Sequence, residues 1–146
     1  MTPTIQDGQV LISKKVKSNN LKYGDIITFY APSVSYQTKA VADLNNPVAI
    51  YSKQDENITY IKRIIGLPGD HIEIKDGNVY VNNNILQEEY LEENIKTDDM
   101  DGVYIDITVP DKCVYVLGDN RPVSGDSRRF GCIPFDKVIG KIFINK

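Results

Sequence analysis

Apolar side chains recur at every second position along most of this chain, the period of a half-buried β-strand. The stretch "QVLISKKV", residues 9–16, alternates and runs into the polar "KSNN". "YGDIITFYAP" begins after a Gly-Asp turn and stops at Pro32, and "YIKRIIGLPGD" carries the pattern over residues 60–70. "HIEIKDGNVYVNNNIL" reads as a hairpin about Asp76-Gly77 with a second turn at Asn82 to Asn84. Further strands are expected at "GVYIDITVP" and "KCVYVLGD", and in the closing "VIGKIFINK". Only "LQEEYLEENIK", residues 86–96, has a helical look, and its acidic residues make it a solvated, frayed segment. Residues 31–58 mix Pro, Ser, Asn and Tyr with short apolar pieces. They are expected to be a mobile surface excursion, with a binding or lid element as the alternative. Short strands with Gly, Asn and Pro punctuation predict an all-β sheet or barrel assembly.

Two cations interrupt this pattern. Alternation sends Tyr60, Lys62 and Ile64 to one face and Ile61, Arg63 and Ile65 to the other, so neither Lys62 nor Arg63 has a polar face to occupy. A lysine in that setting either snorkels to water from a strand near a sheet edge or is held neutral for chemistry. The eleven residues alone leave both open.

Composition narrows the partners. With 146 residues and 41% hydrophobic content the chain can bury a core, and one domain over residues 1–146 is the natural count. A net charge of -3, with Lys and Arg dispersed, argues against a nucleic-acid partner. No window offers the long uncharged apolar run of a transmembrane helix or signal-peptide core. Cys113 and Cys132 lie among apolar residues without metal-ligand spacing and read as buried free thiols; with His71 the only histidine, a metal site is not expected. His71 follows "PGD" and is expected in an exposed loop, a poor place for a catalytic triad member.

The densest polar constellation is "LGDNRPVSGDSRRFG", residues 117–131. Asp119, Asn120, Ser124, Asp126, Ser127 and Arg128 in one short loop suit a self-stapled structural turn. They suit equally a rigid loop that sets one hydroxyl beside a catalytic group.

"MTPTIQDGQ", "YGDIITF", "YIKRIIGLPGD" and "GDNRPVSGDSRRFG" occur in the order and with the character of the signature boxes of bacterial type I signal peptidases, so the chain resembles that family over nearly its whole length. The resemblance implies a membrane-anchored Ser/Lys-dyad serine protease built from antiparallel sheets. Such an enzyme cleaves signal peptides from exported preproteins at the extracytoplasmic side of the cytoplasmic membrane and needs no cofactor. It makes Lys62 the general base and Ser124 the residue that orients it by a hydrogen bond. Asp126 and Arg128 match a structural ion pair, and Asp119 would pair with Arg63. Residues 71–112 would be an insertion between the lysine box and the final loop. Only a desolvated amine can act as a base near neutral pH, and arginine does not deprotonate, so the order Lys then Arg fits one chemical and one structural role.

The resemblance also implies β-augmentation by an extended substrate, with Met1, Ile5, Leu11, Thr28, Thr59, Tyr60 and Ile61 at the matching substrate positions and Met1 and Ile5 poorly tied down. An apolar rim would dock on the lipid bilayer surface. One departure stands out: the family's nucleophilic serine lies directly before the residue matching Met1. The expectation is therefore a soluble catalytic domain truncated just after that serine and inactive as written. The alternatives are a non-catalytic module that binds extended peptides, derived from a signal peptidase, and another Ser/Lys protease such as a self-cleaving repressor.

Overall fold

The computed structural model of the chain describes residues 1–52 and 58–144. Among the described residues the strands are β1 (Ser13–Lys14), β2 (Ile26–Tyr30), β3 (Thr59–Gly66), β4 (His71–Lys75), β5 (Asn78–Val81), β6 (Asn84–Ile85), β7 (Asp106–Thr108), β8 (Cys113–Leu117), β9 (Ile133–Pro134) and β10 (Val138–Ile142). One short helix, α1, spans Ser127–Phe130. A six-stranded sheet runs in the order β1-β10-β2-β3-β8-β9 and a four-stranded one in the order β6-β5-β4-β7, all neighbours antiparallel. Residues 71–108 supply every strand of the second sheet.

Local chemistry accounts for the hairpins. Asp76 and Gly77 both adopt positive φ, 52° and 76°, as a two-residue turn matched to strand twist requires, and Lys75 then pairs with Asn78. Asn82 and Asn83 repeat the device at 52° and 68° and lead into β6.

Strand β3 joins the two cores. Its register with β8 shifts between Ile64 and Gly66, so Ile65 is an extra residue and strict alternation ends there. Ile64 packs with Phe29, Val114, Val116 and Phe130, whereas Ile65 packs with Ile72, Tyr115 and Leu117 under the second sheet. Gly66 is the point of closest approach. A Cβ there would lie 2.7 Å from Cδ1 of Ile72 and 3.1 Å from Cγ2 of Val109.

Several expectations need correction. In residues 9–16 only Ser13 and Lys14 pair, because β10 offers that edge two residues in register; Val10 and Ile12 stand 92% and 67% exposed. Residues 86–96 form turns and extended backbone instead of a helix, since Glu88 and Tyr90 are drawn to buried arginines, and tertiary contacts override propensity. Residues 31–52 are docked: Val48 bridges Cys132 in parallel, and buried Gln37 donates from Nε2 to the carbonyl of Phe130 at 3.0 Å. The rest of that expected excursion, residues 53–57, lies outside the described residues. His71 opens β4 instead of a loop, with Nε2 2.6 Å from Oδ1 of Asp106. Cys113 and Cys132 are both buried and unpaired.

Gly66→Ala tests the sheet junction. Its methyl has to displace Ile72 and Val109, so the variant is expected to lose about 1–3 kcal/mol in urea unfolding, as overpacked cores do. An unchanged midpoint refutes the close approach.

Candidate active site

Strand β3 carries Lys62 opposite Ile27, and Arg63 opposite Ile26, in the centre of the larger sheet. Burial holds the Lys62 pKa below its ordinary value; Asp126 pulls it up, Arg128 pushes it down and Asp119 pulls it up again, but loss of water outweighs these. Among the described residues no carboxylate forms an ion pair with Lys62. Its ammonium lies 5.8 Å from the Tyr60 ring centroid. The Met1 amine shares this environment: burial, and then repulsion by Lys62, hold its pKa down as well.

Arg63 is paired where Lys62 is not. Its Nε and Nη2 donate to the two oxygens of Asp119 at 2.9 and 2.7 Å, a bidentate bond, and Nη1 donates to the carbonyl of Gly24 at 2.9 Å. Thr4 joins this pair, donating to Asp119 and accepting from Arg63 Nη2 at 3.3 Å. Asn120 donates from Nδ2 to the hydroxyl of Thr2 at 3.0 Å, and the Asp119 N–H points at Sδ of Met1 at 3.5 Å. Residues 1–4 are thereby fastened beside Lys62. Ile5 is buried with Ile26 and Ile142, so this segment is better tied down than expected.

The loop after β8 is stapled by its own charges. Asp126 caps α1, accepts from Nε and Nη2 of Arg128 at 2.8 Å each, and accepts the N–H of Gly118 at 3.2 Å. Arg128 also donates to the carbonyls of Asp98 at 2.8 Å and Arg121 at 2.9 Å. Ser127 Oγ accepts the Val116 N–H at 2.9 Å, anchoring the loop to β8. Ser124 and Lys62 both abut Gly118: a Cβ built there would sit 2.1 Å from Ser124 Oγ and 3.4 Å from Lys62 Nζ, so the position has no room for a side chain. The expected hydrogen bond between them is not made. Among the described residues Ser124 Oγ is buried without a hydrogen-bond partner, although it and Lys62 Nζ both border the space left by the missing Gly118 side chain.

The residues matched to substrate binding divide. Met1, Leu11 and Ile61 pack around Ile5 in one apolar group. Tyr60 belongs to the other core, with ring centroids 6.1 Å from Phe29 and 6.2 Å from Phe130. Thr28 is held by Ser13 Oγ at 2.9 Å and the Gly140 carbonyl at 3.4 Å, and Thr59 is exposed at the start of β3. His71 is not among the charged groups acting on Lys62. Sequence reasoning missed Glu88, Tyr90, Thr97 and Arg121. Arg121 is fully buried and bonded to Glu88 and Thr97, while Tyr90 stacks on Arg63 at 3.8 Å. The one signal was an arginine inside the polar loop with an acidic run upstream of it. Among the described residues no cluster of His, Cys, Asp or Glu is arranged to hold a metal ion.

This arrangement has counterparts. The family described as "Signal peptidase, peptidase S26" matches residues 1–145. The probable signal peptidase I-2 of Synechocystis is 34% identical over 146 residues, covering 99% of this chain. Signal peptidase IB of Staphylococcus aureus is 33% identical over 159 residues, covering 97% of it. The chain spans 57% of the first relative's length and 70% of the second's. A crystal structure of a signal peptidase I from Enterococcus faecalis superposes with a TM-score of 0.60 at 28% identity, covering 85% of this chain and 97% of that one. With a half-buried lysine in the strand box that forms no ion pair among the described residues and a self-stapled loop beside it, the chain belongs to the signal peptidase family, peptidase S26.

Proposed function

We propose that this chain is the catalytic part of an endopeptidase that removes N-terminal signal peptides from exported preproteins, with Lys62 as general base. The observation that carries this reading is the Lys62 amine, desolvated and without a carboxylate partner, in a strand with a free edge. The nucleophile of the family pattern is a serine directly before Met1, and the Met1 amine lies within the field of Lys62. A hydroxyl one residue earlier is the group proposed to meet the neutral amine. Lys62 takes the serine proton as the oxygen adds to the scissile carbonyl, and the resulting ammonium returns it to the leaving amine. Water then attacks the acyl carbon, giving its proton to Lys62; the bond from the acyl carbon to the serine oxygen breaks, the Lys62 ammonium returns the proton to that oxygen, and the acid product leaves and ionises to a carboxylate. Ser124 is proposed to accept an N–H of the amine and so aim the lone pair at the nucleophile. Its otherwise unpartnered hydroxyl supports that role.

The substrate is proposed to add as a strand. Strand β8 pairs with β3 only from Arg63 onward, so Thr59 to Lys62 have a ladder partner, β2, on one side alone. Met1, Ile5, Leu11 and Ile61 supply an apolar surface at that edge for small side chains. The packed Tyr60 ring contributes backbone and a wall, and Thr28 lies on the strand behind.

The proposed setting is the outer face of the cytoplasmic membrane. Among the described residues no helix is long and apolar enough to cross a membrane. Exposed Phe143 has the ammonium groups of Lys14 and Lys141 5.5 and 5.3 Å from its ring, and Val10 and Ile12, exposed as well, precede Lys14 in the chain. Apolar side chains beside cations suit an anionic lipid surface.

Three outcomes test this. A chain carrying serine immediately before Met1, with several residues upstream, is expected to cleave an Ala-x-Ala signal peptide between the second alanine and the next residue, as read by mass spectrometry. Residues 1–146 alone are expected not to cleave. The rate of the serine-bearing chain is expected to rise with pH through the lowered Lys62 pKa, because only the neutral amine accepts a proton. Lys62→Met and Lys62→Arg are both expected to abolish turnover; a methionine variant that retains it ends the dyad assignment.

The same lysine has a thermodynamic signature. Its folded pKa lies below the unfolded 10.5, so between the two values the unfolded chain binds more protons and stability rises with pH. Below the folded pKa the cost of the buried charge is complete. Lys62→Met is therefore expected to raise the melting temperature at neutral pH, by a margin that vanishes as pH approaches 10.5.

Finally, Asp126→Ala leaves the fully buried Arg128 unpaired and is expected to cost about 3–5 kcal/mol in denaturant titration. Ser124→Ala deletes a hydroxyl that no protein group engages. It is expected to lower kcat with little change in melting temperature, and a variant that unfolds yet keeps its specific activity rules out the orienting role.

A further inference from the structure

Residues 86–97 run from the second sheet to the catalytic loop and grip it with three side chains. Tyr90 stacks on the Arg63 guanidinium at 3.8 Å and its hydroxyl donates to Oε1 of Glu88 at 2.7 Å. Glu88 accepts from both terminal nitrogens of Arg121, at 2.9 Å from Nη1, and Thr97 Oγ1 accepts from Nη1 at 2.6 Å. Arg121 is fully buried, and its Nε donates to the Gly118 carbonyl at 3.0 Å. Gly118 is thus held from both sides, its N–H by Asp126 and its carbonyl by Arg121. Ser124 Oγ and Lys62 Nζ both border the space that a side chain on this glycine would fill.

We propose that Glu88 is a positioning residue for the reaction: through Arg121 it fixes the Gly118 peptide as the wall that keeps water from the Lys62 amine, and Tyr90 ties the same carboxylate to Arg63 across the site. The proposal rests on reading Lys62 as the base. Glu88 touches no reacting atom. The groups that do face Lys62 are the Met1 amine, Asp119, Asp126, Arg128 and the Tyr60 ring.

That separation gives a sign to measure. Removing a carboxylate lowers an amine's pKa by charge alone, whereas opening the wall rehydrates the amine and raises it. The experiment is an NMR titration of isotope-labelled lysine ε-carbons in residues 1–146, with Lys62→Met to assign the Lys62 signal, and it requires no turnover. Wild-type Lys62 is expected to titrate below an ordinary lysine. Glu88→Ala is expected to move it upward by about one pH unit, a tenfold change in the neutral fraction at a fixed pH below both midpoints. Gly66→Ala, destabilised at the sheet junction away from the loop, is expected to leave it unmoved.

Where Glu88→Ala does not fold, Glu88→Gln decides. Its carboxamide accepts from one guanidinium nitrogen but sets an NH2 against the other, so a smaller upward shift is expected. A depressed wild-type titration that stays put or falls in the Glu88 variant overturns the clamp while leaving the base intact. An equal shift in Gly66→Ala also overturns it, as general loosening. An ordinary wild-type titration overturns the reading of Lys62 as the base, and the clamp with it.

Discussion

The structure turns on a charge inequality. Around Lys62 lie three buried arginines, and each has its own carboxylate: Arg63 with Asp119, Arg121 with Glu88, Arg128 with Asp126. Guanidinium groups cannot escape burial by losing a proton, so each had to be given a partner. Lysine can escape that way. For an amine placed among matched pairs, desolvation outweighs the pull of their carboxylates and lowers its pKa. The ion pairs are thus more than staples, because they engage the carboxylates that would otherwise raise the Lys62 pKa further.

Backbone geometry keeps that inequality in place. The bulge at Ile65 lets a single strand present Lys62 to the site and, a few residues on, insert into the second core. Gly66 admits Ile72 and Val109, and Gly118 admits Ser124 against Lys62. At both positions two layers meet across a missing Cβ.

The strands were legible because short apolar runs bounded by turn residues are written into them: β2, β3, β4, β5 and β8 lie in those runs, although β4 alternates in burial and β8 is buried at every position. The pairs of Arg63 and Arg128 were accessible through the family boxes. Glu88 was not, because an acidic run resembles a solvated helix until a buried arginine is known to need one member of it. Nor could sequence say that Tyr60 packs inward while Met1, Ile5, Leu11 and Ile61 gather elsewhere, since a curled sheet decides which alternate positions share a wall. The hydroxyl of Ser124 shows the complementary limit. Its place in the loop was readable, but not that its oxygen lies unpartnered among the described residues, beside the amine at the space a Gly118 side chain would fill.

Thr2 and Thr4 are tied to Asn120 and Asp119 across 118 and 115 residues of sequence. Loop closure on that scale has to follow formation of the sheets, and long-range contacts of this kind form late. Until the loop over residues 117–131 closes on β3, Lys62 lacks the Gly118 backbone beside it and Arg63 lacks Asp119. A hydrated lysine amine before that closure is an ordinary cation. The setting that lowers the Lys62 pKa is thus completed by segments far apart in sequence, and no single stretch of chain carries it.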